Sequence, residues 1–74
     1  MPKPFSGKKV VSILCKNFGF YHVSQKGSHV KLAVKRGNQE IITIVPIHRE
    51  IAIGTLKGIL TLAQIDEKEF RDKA

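Results

Sequence analysis

Three strand-like segments between Phe20 and Val45, separated by turns of only a few residues, restrict this chain more than any other feature in it. The central segment, His29 to Lys35, alternates cleanly: Val30, Leu32 and Val34 point one way, and His29, Lys31, Ala33 and Lys35 the other. Before it, Phe20 to Gln25 is rich in aromatic and β-branched residues, and Lys26-Gly27-Ser28 supplies a turn with a glycine free to take positive φ. After it, Arg36-Gly37-Asn38-Gln39 turns the chain again, Glu40 to Val45 forms a third strand, and Pro46 ends that strand by removing a donor. Parallel pairing needs a crossover of about a dozen residues or more, so these strands form an antiparallel meander.

Helices flank the meander. Ser6 is an N-cap with Phe5 and Val10 placed as a hydrophobic staple. Val10, Val11, Leu14 and Phe18 recur at helical spacing, Ile13 widens the stripe, and Gly19 stops the helix. A second helix is expected over roughly Thr55 to Gln64, with Leu56, Ile59, Leu60 and Ala63 as its apolar stripe. Gly58 inside it costs about 1 kcal/mol relative to Ala, which calls for close approach to another backbone, with the first helix as the candidate. Asp66 with Glu69, and Ile65 with Phe70, mark the start of a short C-terminal helix. Both main helices must cover one sheet face, so the expectation is an α+β two-layer sandwich in a single domain, residues 1–74. The other face, with His29 and its lysines, stays accessible. The third strand is apolar on both sides, Ile42 and Ile44 opposing Ile41, Thr43 and Val45; one side packs on the helices, and the other either lies under a loop or is a patch that a partner covers, the latter being expected.

Charge narrows the partner. From Met1 to Gln39 there are eight cations (Lys3, Lys8, Lys9, Lys16, Lys26, Lys31, Lys35, Arg36) and no acid; the first carboxylate is Glu40. With a net charge of +7 and the acids segregated, the partner expected is a polyanion. Lys8 and Lys9 stand in the first turn of a helix, where the dipole disfavours cations by roughly 0.3–1 kcal/mol each; they are either solvated or await a phosphate. Lys31, Lys35 and Arg36 extend the basic surface, while Lys26, Lys31 and the backbone of Gly27-Ser28 are placed to hold a phosphate beside His29. His29 is a side chain able to move protons near neutral pH. By spacing alone it is either a base or a partly exposed polar residue. His22 is ambiguous in strand parity, and His48, after a proline turn, is open to a structural role or to donating to RNA.

Several classes are not expected. Cys15 is alone, so no intramolecular disulfide forms, and it reads as a small buried hydrophobe. The apolar run Val10 to Cys15 is too short for a signal-peptide core or a membrane span, so a soluble cytoplasmic protein is expected. Three histidines and one cysteine lack zinc-type spacing, the carboxylates gather near the C-terminal tail, and no phosphate-loop or dinucleotide fingerprint is present. No metal and no cofactor are expected. Nor is there a Ser-His-Asp or Cys-His set, since the basic half has no acid to orient His29.

Helix, three-stranded meander, helix is the order of the double-stranded RNA-binding domain. Locally, Asn17-Phe18-Gly19-Phe20, Gln25-Lys26-Gly27-Ser28-His29, Val45-Pro46-Ile47-His48, Gly54-Thr55-Leu56, Ile59-Leu60 and Glu69-Phe70 together resemble the HicA (YcfA-like) toxin family over nearly the whole chain, the Gly-Ser-His step being the most specific element. The resemblance implies a double-stranded RNA-binding-domain-like fold and the toxin of a type II toxin–antitoxin pair. It also implies an mRNA interferase, an endoribonuclease acting on mRNA, neutralised by a HicB-like antitoxin, with His29 as the catalytic histidine. Two other readings stay open on the residues themselves. One is a non-catalytic module gripping double-stranded RNA through Lys8, Lys9, Lys31, Lys35 and Arg36; the other is a protein-interaction domain matched to an acidic partner.

Overall fold

A computed structural model describes residues 4–74, so Lys3 lies outside the described residues. The element order is α1 (Gly7–Phe18), β1 (Tyr21–Lys26), β2 (His29–Arg36), β3 (Gln39–Pro46), α2 (Ile53–Ala63) and α3 (Glu67–Asp72). The strands form one antiparallel sheet in the order β1-β2-β3. Val10, Ile13 and Leu14 of α1 and Leu56, Ile59 and Leu60 of α2 share one core with Val30, Leu32, Val34, Ile41 and Val45. This is the expected double-stranded RNA-binding-domain-like α+β sandwich, with helices on one sheet face.

The local signals act as their chemistry requires. Ser6 Oγ accepts from the Lys9 amide at 3.1 Å, satisfying one free donor of the first turn. At the other end Gly19 takes φ 74°, and its N–H and that of Phe20 both go to the Leu14 carbonyl. Val11, Phe18 and Cys15 are half-buried at the margin of the core, and burial pushes the Cys15 thiol above its ordinary value, keeping it protonated. Asp66 accepts from the Glu69 amide, and Phe70 is fully buried against Phe5 (5.3 Å, edge-to-face) and Phe18 (6.4 Å, stacked). Each aromatic pair contributes about 0.5–1.5 kcal/mol beyond the area it buries. The Arg71 guanidinium lies 5.4 Å from the centre of the Phe5 ring and is held by Glu67. The short α3 thereby fastens the segment leading into α1.

Two details differ from expectation. Helix α2 begins at Ile53, ahead of Thr55, with Ala52 at its N-cap making no side-chain bond, and Gln64 ends it in the left-handed conformation at φ 58°. Thr43, on the core face of β3, is fully buried and donates its hydroxyl to the Ile59 carbonyl at 2.8 Å, which ties the sheet to α2 by a polar bond. Gly58, expected at a close backbone contact, faces open space: a Cβ there would meet nothing within 4 Å. Close approach occurs instead at Gly7, whose Cβ would stand 2.7 Å from Ile47 Cα and nearer still to the Pro46 carbonyl. The Gly7 amide donates to His48 O at 2.9 Å and the Ile51 amide to Phe5 O at 2.8 Å, so the start of α1 lies directly on the chain leaving β3.

The same substitution at these two helical glycines should therefore have opposite signs. Gly58→Ala should stabilise by up to about 1 kcal/mol, and Gly7→Ala should destabilise by roughly 1–3 kcal/mol through overpacking. Urea denaturation of the two variants measures this. A Gly7→Ala variant as stable as the parent would contradict the packing described.

Candidate functional site

The first hairpin is closed by a two-residue turn, Gly27-Ser28, between the paired residues Lys26 and His29. Gly27 has φ 60° and Ser28 is not left-handed, the pattern of a glycine-led type II′ turn that suits the twist of the flanking strands. Two further bonds hold it: Gln25 Nε2 donates to the Gly27 carbonyl at 3.0 Å, and the Ile47 amide donates to Ser28 O, taking over where Pro46 cannot donate. The Lys26–His29 pair completes the ladder. His29 is the first residue of β2, with Lys26 beside it on β1 and Pro46 on β3. Its side chain is exposed.

Parity then places the rest. The face turned from the helices carries His29, Lys31 and Lys35 of β2, with Lys26, Ser24 and Tyr21 alongside on β1 and Pro46, Ile44, Ile42 and Glu40 on β3. Lys31, two residues from His29, sits half-buried between Ser24 and Ile44. Among the described residues no carboxylate lies within ion-pair distance of these lysines, since the ion pair formed is Arg71–Glu67. An anion approaching His29 thus meets ammonium groups that are not already neutralised. The two edge strands of this face carry exposed apolar side chains. Ile42 and Ile44 on β3 are 39% and 37% exposed, and Tyr21 is exposed on β1 at the other edge. Tyr21 reaches over β2 to donate to Glu40 at 3.2 Å, covering Ala33. Burial first, and then the Glu40 carboxylate through its hydrogen bond and charge, holds the phenol above its ordinary value, so it remains a neutral donor.

The residues singled out from the sequence fall into three groups. Lys26, Gly27, Ser28, His29 and Lys31 come together at the hairpin. Lys35 and Arg36 share that sheet but lie at the opposite end of β2, about 20 Å away at roughly 3.3 Å per residue. Lys8 and Lys9 lie on the helix side, and they diverge from each other. Lys9 borders a recess with Phe5, Arg49 and Glu50, and Lys8 faces the underside of the hairpin with His22 and Gln25. The parity of His22, ambiguous in sequence, is decided by a bulge. Pairing shifts between His22 and Ser24, so Val23 is an extra residue that turns His22 to the helix side, opposite Leu32. Arg49, which the sequence reading passed over, borders the same region as Lys8 and His48. Its signal was proximity to Pro46, visible only once α1 was known to begin there.

Chemically the hairpin offers an exposed imidazole, two flexible ammonium groups and a turn whose backbone a ligand can approach closely. Among the described residues no three His, Cys, Asp or Glu side chains gather into a metal-binding group. Among the described residues no helix is long and apolar enough to cross a membrane. Against protein families, the model described as the HicA toxin of bacterial toxin–antitoxin systems matches residues 7–65 of the 74. That span takes in α1, the whole sheet, α2 and the Gly-Ser-His step. No curated protein matches the chain.

Since a Cβ at Gly27 has open space but an unfavourable φ, substitution there should act through backbone strain alone. Gly27→Val should cost roughly 1–2 kcal/mol and loosen the hairpin, whereas D-alanine at the same position, which prefers positive φ, should be tolerated. Amide exchange at Lys26 and His29 reports it; equal protection in both variants would contradict the turn geometry.

Proposed function

The chain belongs to the HicA toxin family, and on that premise we propose that it is an mRNA interferase: a toxin that cuts mRNA in the cytoplasm with His29 as its catalytic base. As a toxin of a toxin–antitoxin family its partner is an antitoxin; the proposal takes this to be a HicB-like protein. What carries the reading is the position of His29, exposed at the start of β2 with Lys26 directly across and Lys31 on the same face.

The chemistry follows from that placement. An imidazole at this position takes the proton from a ribose 2′-hydroxyl. The freed 2′-oxygen attacks the adjacent phosphorus, the bond to the 5′-oxygen breaks, and that oxygen takes a proton from water or from the imidazolium. Charge gathers on the non-bridging phosphate oxygens as this happens. Lys26, Lys31 and the backbone N–H groups of Gly27-Ser28 are placed to stabilise it. The proposed route uses no metal and no cofactor. The apolar side chains of the same face, Tyr21, Ile42 and Ile44, belong to the surface the antitoxin is proposed to cover.

A second reading is favoured by the spread of Lys26, Lys31, Lys35 and Arg36 along β1 and β2, which suits gripping double-stranded RNA without cutting it. One substitution separates the two. His29→Ala should lower the cleavage rate of a defined mRNA by about 100-fold or more while leaving RNA affinity within about threefold of the parent, since one contact among many changes. In growing cells the parent should arrest growth, His29→Ala should not, and co-expressed HicB-like antitoxin should restore growth to the parent. Undiminished cleavage by His29→Ala would overturn the catalytic assignment.

A further inference from the structure

A second concave surface lies behind the same hairpin. One recess of about 290 Å³ is bordered by Lys8, Val11, His22, Gln25, Val30 and Ile47. Next to it a recess of about 260 Å³ is bordered by Ser6, Lys8, Ile47, His48 and Arg49. They share Lys8 and Ile47, so they adjoin, and together they make a concave surface, the groove, between His22 and Arg49. Its floor is apolar (Val11, Val30, Ile47) and its walls carry an ammonium, a guanidinium and two imidazoles, with no carboxylate among them. Three separate stretches of chain supply these groups: the first turn of α1, strand β1 and the segment after Pro46.

Two bonds join this groove to the catalytic side. Gln25, in its wall, donates to the Gly27 carbonyl, and Ile47, in its floor, donates to Ser28 O. The turn that presents His29 is therefore also the rim of the groove. A cation in the first turn of a helix is locally unfavourable, and α1 has no acid in that turn to offset Lys8. A phosphate beside Lys8 would reverse that disadvantage, and the next phosphate of the same strand would pair with Arg49.

We propose that the groove holds the sugar–phosphate backbone of the RNA next to the scissile step, so that the strand passes over the hairpin tip and is held on both sides of the sheet. This rests on reading the chain as an RNA-cutting protein. It adds Gln25, His22, His48 and Arg49 to the RNA-binding residues and gives Lys8 a place among them. Phosphates pair with Lys8 and Arg49, and riboses lie on Val11, Val30 and Ile47.

The test uses the full chain carrying His29→Ala, so that RNA is bound and not consumed, with a fluorescent 12-nucleotide RNA titrated at several salt concentrations. Lys8→Ala with Arg49→Ala should weaken binding about tenfold at low salt and reduce the slope of log affinity against log salt by about 1.4, at roughly 0.7 per single-strand phosphate. Lys8→Arg with Arg49→Lys, which keeps both charges, should retain affinity and slope, and Lys57→Ala on α2 should change neither. Unchanged affinity and slope in the double alanine variant would overturn the proposal while leaving the nuclease reading intact. So would weakened binding with an unchanged slope, because the contacts would then not be to phosphate. Retained RNA affinity with loss of antitoxin co-purification would make the groove a protein-docking site and also overturn it. If the parent neither binds nor cuts RNA, the nuclease reading itself fails.

Discussion

The register of the central strand is the constraint on which the rest of this structure depends. Side chains on a strand alternate with period two, so a slip of one residue would send Val30, Leu32 and Val34 to solvent and His29, Lys31 and Lys35 into the core. Two glycine-led turns prevent the slip at opposite ends of β2. Gly27 at φ 60° sets Lys26 opposite His29, and Gly37 at φ 62° sets Arg36 opposite Gln39. With both ends pinned, hydrophobic burial and the placement of the imidazole become one decision. The residue proposed to do the chemistry is held by the same alternation that builds the core.

The helices serve that sheet in different ways. Helix α2 is tied to β3 by apolar packing and by the buried bond from Thr43 to Ile59. Helix α1 is set by steric proximity: Gly7 permits contact with Pro46 and Ile47 that any other residue would push apart. That contact brings Lys8 under the hairpin and places the loop after β3 beside the first turn of α1. It also connects the fold to its electrostatics. Some of the cations of the N-terminal half, Lys8 on one side and Lys26 and Lys31 on the other, are thereby drawn towards two sides of one hairpin.

The open sheet face combines properties that are usually kept apart. Isoleucines and a tyrosine lie on its edge strands, and an exposed histidine with Lys26 and Lys31 lies towards one end. An apolar patch on a small basic protein is a liability unless something covers it. In a toxin whose partner is an antitoxin, a surface that joins an anion-attracting end to exposed apolar side chains allows a single partner to shield both. Tyr21 is braced across the face by its hydrogen bond to Glu40.

Much of this was legible in the residues, because the signals were local. Ser6 and Gly19 bound α1, Gly27 and Gly37 bound the turns, and the alternation of His29 to Lys35 divided core from surface; each depends on neighbours within a few positions. Where long-range geometry governs, local reading failed. Gly58 was open and Gly7 was the close contact, because which glycine meets another backbone depends on how α1 lies on the end of β3. Lys35 and Arg36 share a sheet with His29 yet stand at its far end, as strand length separates what charge composition had grouped. The side taken by His22 was decided by one extra residue at Val23, and a bulge leaves no mark in a pattern where neighbouring residues are all strand formers. The sequence by itself determined the elements, the core and the exposed histidine, since these follow from periodicity and turn chemistry. Only the tertiary structure decided which cations stand together, because that depends on how separate elements meet.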